Sequence, residues 1–451
     1  MSSMHDLLKK YDVPSPRYTS YPTVPYWSES PTPERWIEEL KKAASNDETT
    51  WSLYVHIPFC ETLCTFCGCN TTITKNHTKE PGYLERVLKE FDAYLDKVPR
   101  LKELPLRQFH LGGGTPTFFS AGHLDQLTSQ ILAKTKVVPG QFDGSVEVDP
   151  RRTNAMQLKA LYNRGFRRVS MGVQDFDPEV QRLINRIQPF SITKELTEQA
   201  RAMGYTSVNY DLIYGLPKQT SEGFKRTIEH TLELRPDRIA LYSFALVPWI
   251  KPAQRLFKDD DLPVAAEKRE LYELAYKLFI EAGYVEIGMD HFALPTDAMA
   301  ESLKSGKLHR NFMGYTEMRT DILLGIGVSA ISESPTCFHQ NEKVLPVWER
   351  RVDAGETPTF RGHLLSQEDQ FYREQILEFM TKSSVKLKDE AQIKDVESFL
   401  KSLIDDGLVQ LKGGELRISE QGRPFLRNAC MALDQRLRQN KPDTRVFSSS
   451  V

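Results

Sequence analysis

Between about residues 50 and 245, short apolar segments alternate with longer stretches whose apolar residues recur at helical spacing. The apolar segments predict β-strands, and the stretches 82–98 and 121–135 predict amphipathic helices. The predicted strands are 52–57, 108–112, 145–149, 168–173, 207–213 and 238–243. Such alternation is typical of parallel strands joined by helical crossovers, so the fold class is α/β, with either a barrel or an open sheet.

The pattern within each strand favours the barrel. Apolar and polar side chains take opposite faces of the first strand, with Leu53, Val55 and Ile57 against Ser52, Tyr54 and His56. The strands 145–149, 168–173 and 207–213 alternate in the same way. An open sheet covered by helices on both sides is apolar on both faces, whereas here one face is repeatedly polar. We therefore expect a partial (β/α)6 TIM-like barrel with a polar interior.

Polar and glycine-rich segments follow the predicted strands, where α/β barrels carry their chemistry. In chain order they are the cysteine-rich segment 60–69, GGGTPT at 112–117, Glu147 with Asp149, Gln174, and Asp211 followed by YGLPKQT at 214–220. Packing alone does not explain why five strand ends carry such residues. The sequence therefore predicts one functional site at this end of the barrel.

Four of the six cysteines lie within ten positions, as Cys60, Cys64, Cys67 and Cys69. In a reducing compartment, clustered thiols are metal ligands more often than disulfide partners. Structural zinc takes four ligands, usually from two separated pairs, and here only His56 is near enough to complete such a site; zinc remains the minor alternative. Three thiolates on one loop fit a [4Fe–4S] cluster whose fourth iron is left for a small ligand. The isolated Cys337 and Cys430 are expected to be buried.

The composition and the terminal sequence argue against several classes of protein. Of the 451 residues, 40% are hydrophobic and 27% are charged, and the net charge of −2 gives no general attraction to nucleic acid or membranes. The N-terminal residues lack the apolar core of a secretion signal, and no stretch is apolar enough to span a bilayer. We expect a cytoplasmic protein and, since no long coiled-coil pattern is present, a monomer.

The spacing Cys60-x3-Cys64-x2-Cys67, with Phe66 inside it, resembles the signature of the radical S-adenosylmethionine (SAM) superfamily. Further segments resemble the oxygen-independent coproporphyrinogen III oxidase family: PRYTSYPT (16–23), YVHIPFC, CGCN, GGGTPT, EVDPR, SMGVQDF, DLIYGLPKQT, GMDHFA (288–293), HRNFMGYT (309–316) and GIGVSAIS (325–332). These segments extend over nearly the whole chain, and several are not general radical SAM features.

The resemblance implies a radical SAM oxidoreductase, a coproporphyrinogen dehydrogenase of haem biosynthesis. Such an enzyme converts coproporphyrinogen III to protoporphyrinogen IX by decarboxylating the propionates of rings A and B to vinyls, through a 5′-deoxyadenosyl radical. It also implies an electron-donor protein such as flavodoxin or ferredoxin. The alternative is a radical-SAM-like haem chaperone, but those relatives lack PRYTSYPT and the CGC thiol, which this chain has.

The resemblance also implies roles for individual residues. The [4Fe–4S] ligands would be Cys60, Cys64 and Cys67. Two SAM molecules are expected, the first bound by Tyr54, Gly113, Glu147 and Ile331, the second by Phe66, Gly114, Thr115, Gln174, Arg186, Asp211 and Ala245. Tyr54, His56 and Cys69 are the catalytic candidates. Cationic contacts for the substrate propionates are expected from Arg17, Arg255, His309 and Arg310. Taken singly, Gln174, Arg186 and Asp211 also fit ordinary hydrogen bonding inside a barrel.

Four segments are predicted. Residues 1–45 would cover the barrel mouth, 46–245 form the barrel, 246–360 complete it and the pocket, and 361–451 form a mostly helical, winged-helix-like domain with a hairpin around Gly413 and Gly414. A zinc-dependent winged-helix regulator is therefore a third hypothesis. No dense stripe of lysine and arginine accompanies this segment, which favours a structural or substrate-covering role over DNA binding.

Overall fold

The computed structural model describes residues 4–249 and 251–440, together with residues 442, 446 and 447. The chain divides into two compact units. The first unit comprises Met1–Trp27, Ser243–Arg319 and Leu365–Val451, and the second comprises Ser28–Tyr242 and Thr320–Leu364. Each unit is described separately below.

The secondary structure alternates as predicted over the barrel region. The strands are β1 (Trp51–Ile57), β2 (Phe59–Cys60), β3 (Thr72–Ile73), β4 (Leu106–Gly113), β5 (Asp143–Val148), β6 (Phe166–Gln174), β7 (Ser207–Tyr214), β8 (Arg238–Ser243), β9 (Val285–Gly288), β10 (His291–Ala293), β11 (His309–Asn311), β12 (Gly314–Thr316), β13 (Ile322–Ile326), β14 (Ile331–Ser334), β15 (Cys337–Asn341), β16 (Thr359–Leu364), β17 (Ser384–Lys386), β18 (Val409–Lys412) and β19 (Glu415–Ile418).

The α-helices are α1 (Met4–Tyr11), α2 (Pro33–Ala43), α3 (Lys79–Lys97), α4 (Ala121–Leu132), α5 (Ala155–Asn163), α6 (Pro178–Leu183), α7 (Phe190–Met203), α8 (Ser221–Leu234), α9 (Ala265–Glu281), α10 (Ala298–Lys304), α11 (Leu345–Asp353), α12 (Gln367–Lys382), α13 (Glu390–Asp405), α14 (Leu426–Cys430) and α15 (Gln435–Gln439). Short 3₁₀ helices lie at Val24–Tyr26, Pro99–Lys102, Pro116–Phe118, Pro150–Arg152, Pro252–Leu256, Asp259–Asp261 and Arg423–Phe425.

The second unit is built on one large sheet, in the order β16-β15-β14-β13-β1-β4-β5-β6-β7-β8. Strands β1, β4, β5, β6 and β7 pair in parallel, and β8 lies next to β7. All the predicted barrel strands are present, with ends within two residues of those predicted. The α/β fold with a partial barrel of parallel strands is confirmed.

The sheet extends further than the sequence predicted. On the other edge of β1, β13 pairs in parallel, and the antiparallel strands β14, β15 and β16 follow it. The hydrophobic pattern of a sequence identifies a strand, but it does not show which neighbouring strand it pairs with. Residues 320–364 therefore belong to the barrel unit, whereas 246–319 belong to the first unit, and the predicted segment 246–360 is divided.

The two faces of β1 differ as its alternation predicts. Leu53, Val55 and Ile57 are completely buried on the apolar face. On the polar face, Ser52 Oγ donates a hydrogen bond to Gln108 Oε1 on the neighbouring strand at 3.2 Å. Hydrogen bonding between strands allows a polar face to be buried without unpaired groups.

Buried groups on α3 fix the end of β1 and the turn between β13 and β14. Tyr83 Oη donates to the His56 carbonyl oxygen at 2.6 Å and accepts from the Val328 N–H at 3.1 Å. The buried Glu90 carboxylate accepts three hydrogen bonds, from Gly327 N at 2.8 Å, Asn341 Nδ2 at 2.6 Å and Trp348 Nε1 at 3.1 Å. One helix thus holds the backbone beside His56 and the segment leading to Ile331.

Glu90 should make stability depend on pH. Burial raises the pKa of Glu90 from its ordinary 4.5 to about 8, against the lowering effect of its donors. Between these values the folded chain keeps a proton that the unfolded chain releases, so stability falls by up to about 1.4 kcal/mol per pH unit as pH rises. Glu90→Gln does not titrate, and we expect its melting temperature to fall less than that of the wild type between pH 5 and 8.

The control is Glu222→Gln, which removes an exposed carboxylate on α8 whose side chain is 88% accessible. It should keep the pH dependence of the wild type. Equal slopes of melting temperature against pH for Glu90→Gln and the wild type would contradict the assignment.

The first unit contains the C-terminal segment, with the predicted order of helix, helix, hairpin and helix. Strands β18 and β19 form the hairpin around Gly413 and Gly414, both of which have positive φ. β17 adds to β19, giving a small sheet in the order β17-β19-β18 beside α12 and α13. Cys430 is buried in this domain, and Cys337 is buried in the second unit, as expected.

The predicted cover, residues 1–45, is divided between the units. In the first unit, Leu7 and Tyr11 of α1 join the core of the C-terminal domain, and Tyr11 Oη donates to Asp406 at 2.6 Å. In the second unit, Trp36 of α2 is buried and stacks on His339 with ring centroids 5.0 Å apart. Both halves are anchored by buried aromatic side chains, and the proline-rich sequence between them gives no sign of this division.

None of the helices that the structure describes has both the length and the apolar character needed to cross a bilayer.

Candidate active site

The ends of the barrel strands and the cysteine loop surround one cavity. Its lining includes most of the predicted site residues: Cys60, Cys64, Phe66, Cys67, Cys69, Gly113, Gly114, Thr115, Glu147, Gln174, Arg186 and Asp211. These residues are up to 151 positions apart in the chain, between Cys60 and Asp211. The parallel sheet brings them together because successive parallel strands end at the same edge.

The cysteine loop is closed at its base by backbone pairing. β2 and β3 pair in parallel, with Thr72 N donating to Pro58 O and Thr74 N donating to Cys60 O, both at 2.8 Å. Within the loop, Cys67 N donates to Cys64 O at 3.1 Å and forms a tight turn. The loop is therefore held in shape by its own backbone, with the three predicted ligands lining the cavity.

Each predicted cluster ligand has a hydrogen-bonding group at its sulfur. Thr115 Oγ1 lies 3.3 Å from Cys60 Sγ, and Cys69 N donates to Cys67 Sγ at 3.4 Å. Arg151 and Arg186 both direct an N–H at Cys64 Sγ, at 3.6 Å. Hydrogen bonds to sulfur stabilise thiolates that carry the charge of an iron–sulfur cluster, so the residues present fit this group.

The thiols are not arranged for a single ion. No three Cys, His, Asp or Glu side chains of the described residues converge as ligands of one metal ion. Ligands of one zinc ion must all lie about 2.0–2.3 Å from the same point, whereas cysteines of an iron–sulfur cluster each bind a different iron. Burial raises the pKa of the Cys60 thiol to about 11, so metal binding would have to displace its proton.

The glycine-rich segment is required by the protein's own packing. Gly113 has φ +121°, which disfavours other residues, and a Cβ on Gly114 would lie 2.5 Å from the Pro58 carbonyl oxygen. Gly114 N donates to Ile57 O at 2.8 Å, and Gly113 N donates to Glu147 Oε2 at 3.2 Å. The sequence suggested that these positions are glycine so that a ligand can approach the backbone. The structure adds a second reason, which is that the chain's own packing leaves no room for a side chain there.

Glu147 is held in its ionised form. Burial raises its pKa, but hydrogen bonds from His110 and from Gly113 N outweigh burial and lower the pKa overall. His110, which the sequence analysis did not single out, lies 3.3 Å from Glu147 Oε1 through Nε2 and stacks on Tyr54. The alternation of QFHLG places His110 on the polar face of β4 and was the signal available for finding it.

Tyr54 and His56 form a hydrogen-bonded pair. Tyr54 Oη lies 3.0 Å from His56 Nδ1, and His56 Nε2 lies 2.9 Å from the Asn70 carbonyl oxygen. Burial lowers the pKa of His56 and raises that of Tyr54, so both are neutral. Because a carbonyl only accepts, Nε2 carries the proton of His56 and Nδ1 accepts from Tyr54.

Gln174, Arg186 and Asp211 meet around Gly172. Gln174 ends β6 in a left-handed conformation, with φ +69°, at a register shift between β6 and β7. A Cβ on Gly172 would lie 2.9 Å from both Arg186 NH2 and Gln174 Nε2, so glycine leaves room for these two side chains. Asp211 is oriented by Ser170 Oγ at 3.0 Å and Asn209 Nδ2 at 2.9 Å. Within the described residues, the buried Nε of Arg186 has no hydrogen-bond partner.

Three predicted SAM contacts are absent from the cavity lining: Tyr54, described above, Ile331 and Ala245. Ile331 begins β14 in the second unit, where Gly325 permits close approach of its main chain. Ala245 lies two residues beyond the end of β8 and belongs to the first unit, where its carbonyl accepts a hydrogen bond from Gln254. Their roles stay predictions.

The predicted propionate contacts also belong to the first unit. Arg17 forms an ion pair with the buried Asp290, and Arg255 donates to the Pro248 carbonyl oxygen. Burial, with Arg319 and Arg373 nearby, lowers the pKa of His309 to about 3, so His309 is neutral rather than cationic. Arg310 stacks on Tyr315, and its buried Nε and NH1 have no partner within the described residues. Of the four, Arg310 has the most unused donors.

Comparison with known proteins agrees with this geometry. The Radical SAM superfamily model matches residues 54–231. The oxygen-independent coproporphyrinogen III oxidase of Escherichia coli K12 is 38% identical, over 99% of this chain and 98% of its own length. The enzyme of the same name from Pseudomonas aeruginosa is 37% identical, over 96% and 95%.

A solved structure agrees over the same extent. It is reported as coproporphyrinogen III oxidase (HemN) from Escherichia coli, a radical SAM enzyme, and superposes with a TM-score of 0.89 at 37% identity. The match covers 96% of this chain and 99% of that one. The similarity therefore extends through both units, well beyond the segment that the superfamily model matches. This chain belongs to the oxygen-independent coproporphyrinogen III oxidase family of radical SAM enzymes.

Proposed function

We propose that this protein is a coproporphyrinogen dehydrogenase, which oxidises coproporphyrinogen III without oxygen. Membership of the family implies a [4Fe–4S] cluster and SAM, which together supply a carbon-centred radical able to remove a hydrogen from a propionate side chain. The product is protoporphyrinogen IX, formed by converting the propionates of rings A and B to vinyls. Similarity over nearly the full length to proteins named as oxidases favours the enzyme over the haem chaperone.

One observation carries this proposal. The sulfurs of Cys60, Cys64 and Cys67 each have a hydrogen-bonding group and line the same cavity as Glu147 and Gln174. Glu147, ionised, provides an acceptor for a cationic amino group such as that of SAM. The chain thus offers cluster ligands and an anionic contact within one barrel interior.

Anaerobic turnover tests the proposal. Reconstituted protein with coproporphyrinogen III, dithionite and SAM should yield the divinyl product, with 5′-deoxyadenosine and methionine in proportion to it. A haem chaperone would release neither product nor proportional methionine. Protein that binds zinc but neither iron nor sulfide would also contradict the proposal.

We further propose that a second SAM binds at Phe66, Gly114, Thr115, Gln174, Arg186 and Asp211. The amide of Gln174 and the carboxylate of Asp211 suit the polar groups of a nucleoside, and the guanidinium of Arg186 suits a carboxylate. The remaining parts of the proposal are propionate contacts from Arg310 and Arg17, an electron donor such as flavodoxin or ferredoxin, a cytoplasmic location and a monomeric state.

Gln174→Ala tests the second SAM. We expect an intact cluster and a rate of product formation lowered by about tenfold, since loss of one hydrogen bond to a charged or polar ligand costs roughly 1–2 kcal/mol. The measurements are iron and sulfide content, product formation and the number of SAM molecules bound. Gln199→Ala, which removes an amide on α7 that donates to Glu195 at 3.0 Å and does not line the cavity, is the control and should bind the same number of SAM molecules as the wild type. A normal rate in Gln174→Ala would refute this placement.

A further inference from the structure

A charged triad lies against the cysteine loop. It consists of Asp149, Arg151 and Arg186, whose side chains are 10%, 13% and 8% accessible. Arg186 is already assigned to a ligand, but Asp149 and Arg151 have no role in the function described above. Both guanidinium groups point at one sulfur, that of Cys64.

Asp149 holds Arg151 in place. Its carboxylate accepts from Arg151 Nε at 3.0 Å and from NH2 at 2.7 Å, and it also caps the turn through Arg151 N at 3.0 Å. Arg186 approaches the same carboxylate at 3.3 Å. Within the described residues, the Arg151 side chain has hydrogen bonds only to Asp149 and Cys64, so its position serves no other element of the fold.

This arrangement would affect the reduction potential of the proposed cluster. Reduction adds negative charge to the iron–sulfur centre and to its thiolates. A guanidinium N–H at a ligating sulfur stabilises that charge and raises the reduction potential, and the effect is stronger in a buried site than in water. The Asp149 carboxylate acts in the opposite direction, so the triad leaves one net positive charge beside Cys64.

We propose that Arg151, positioned by Asp149, raises the reduction potential of the iron–sulfur cluster through its hydrogen bond to Cys64. The inference rests on the proposed function, because it requires Cys64 to be a cluster ligand. The electron comes from an external one-electron reductant, the donor protein in the cell or dithionite in the test. A cluster held by Cys60, Cys64 and Cys67 would take up this electron and supply it for the cleavage of SAM. Arg151 is a positioning residue that acts through Cys64.

The test is a redox titration of the anaerobically reconstituted full-length enzyme, followed by the electron paramagnetic resonance signal of the reduced cluster. Arg151→Met keeps an unbranched side chain but removes the donor and the charge. At the wild-type midpoint potential, we expect the ratio of reduced to oxidised cluster to fall about tenfold, a shift of about 59 mV for one electron.

Arg152→Met is the matched control. Arg152 is the next residue, lines the same cavity and pairs with Glu61 at 3.0 Å, yet its side chain is 41% accessible and so more strongly screened. The reduction potential of the cluster in Arg152→Met should equal that of the wild type. An equal shift in Arg152→Met would show a general charge effect and overturn the specific role of Arg151.

Other outcomes are also decisive. An unchanged potential in Arg151→Met, with iron and sulfide contents of the wild type, overturns the inference. If Arg151→Met and Arg151→Lys both fail to assemble a cluster, Arg151 acts in assembly and the inference is again overturned. A wild-type protein that never shows the reduced-cluster signal would instead refute the proposed function, so the two failures are distinguishable.

Discussion

Cys64→Ala is expected to abolish the iron–sulfur absorption of the reconstituted protein and all cleavage of SAM. Cys64 is the middle one of the three proposed cluster ligands, and its sulfur receives two guanidinium N–H groups at 3.6 Å. Without the thiolate, one iron loses its protein ligand and two buried arginines lose an anionic partner, so neither cluster nor charge balance is kept. Iron and sulfide content, visible absorption and 5′-deoxyadenosine formation measure the effect.

Cys69→Ala is the matched comparison. Cys69 lies two residues beyond Cys67 on the same loop, is exposed, and contributes its backbone N–H to the Cys67 sulfur. Alanine keeps that N–H, so the cluster and the reductive cleavage of SAM should survive. If the thiol of Cys69 takes part in catalysis, formation of the vinyl product should be lost. Loss of the cluster in Cys69→Ala would instead make Cys69 a fourth ligand and contradict the open iron.

The barrel was predictable because strand and helix periodicities differ and because the polar face of each strand repeats. Strand β1 shows this most directly, with Leu53, Val55 and Ile57 buried opposite Tyr54 and His56. Pattern does not reveal pairing partners, however. The parallel pairing of β13 with β1 depends on long-range geometry, so the sequence predicted that residues 246–360 complete the barrel but not that this segment divides at residue 320.

The site was predictable to the extent that its residues follow strands in the sequence. The cavity brings together Cys64, Glu147, Gln174 and Asp211, all predicted from strand ends. His110, Gly172 and Arg151 were missed for a physical reason. Each acts on another side chain, by hydrogen bonding, by leaving space or by contact with sulfur, and such partnerships become visible only when the strands are placed side by side.

Glu147→Leu is expected to leave the cluster intact but to weaken SAM binding by about 10- to 100-fold. Glu147 has no hydrogen bond to a cysteine sulfur within the described residues; it accepts from Gly113 N and lies beside His110. Its ionised carboxylate lines the cavity and is the proposed partner of a SAM amino group, and a hydrogen bond to a charged partner is worth roughly 1.5–3 kcal/mol. Equilibrium binding of SAM to the oxidised, reconstituted enzyme measures the loss.

Glu147→Gln separates charge from shape. Glutamine keeps an oxygen that can accept from Gly113 N–H but carries no charge, so SAM affinity should fall less than in Glu147→Leu. If Glu147 binds SAM and also supports the glycine segment, SAM affinity should decrease from the wild type to Glu147→Gln and then to Glu147→Leu. If both variants bind SAM as tightly as the wild type while holding a full cluster, the carboxylate serves only the hydrogen bonds among Gly113, His110 and itself. The SAM amino group must then find its partner elsewhere on the cavity wall.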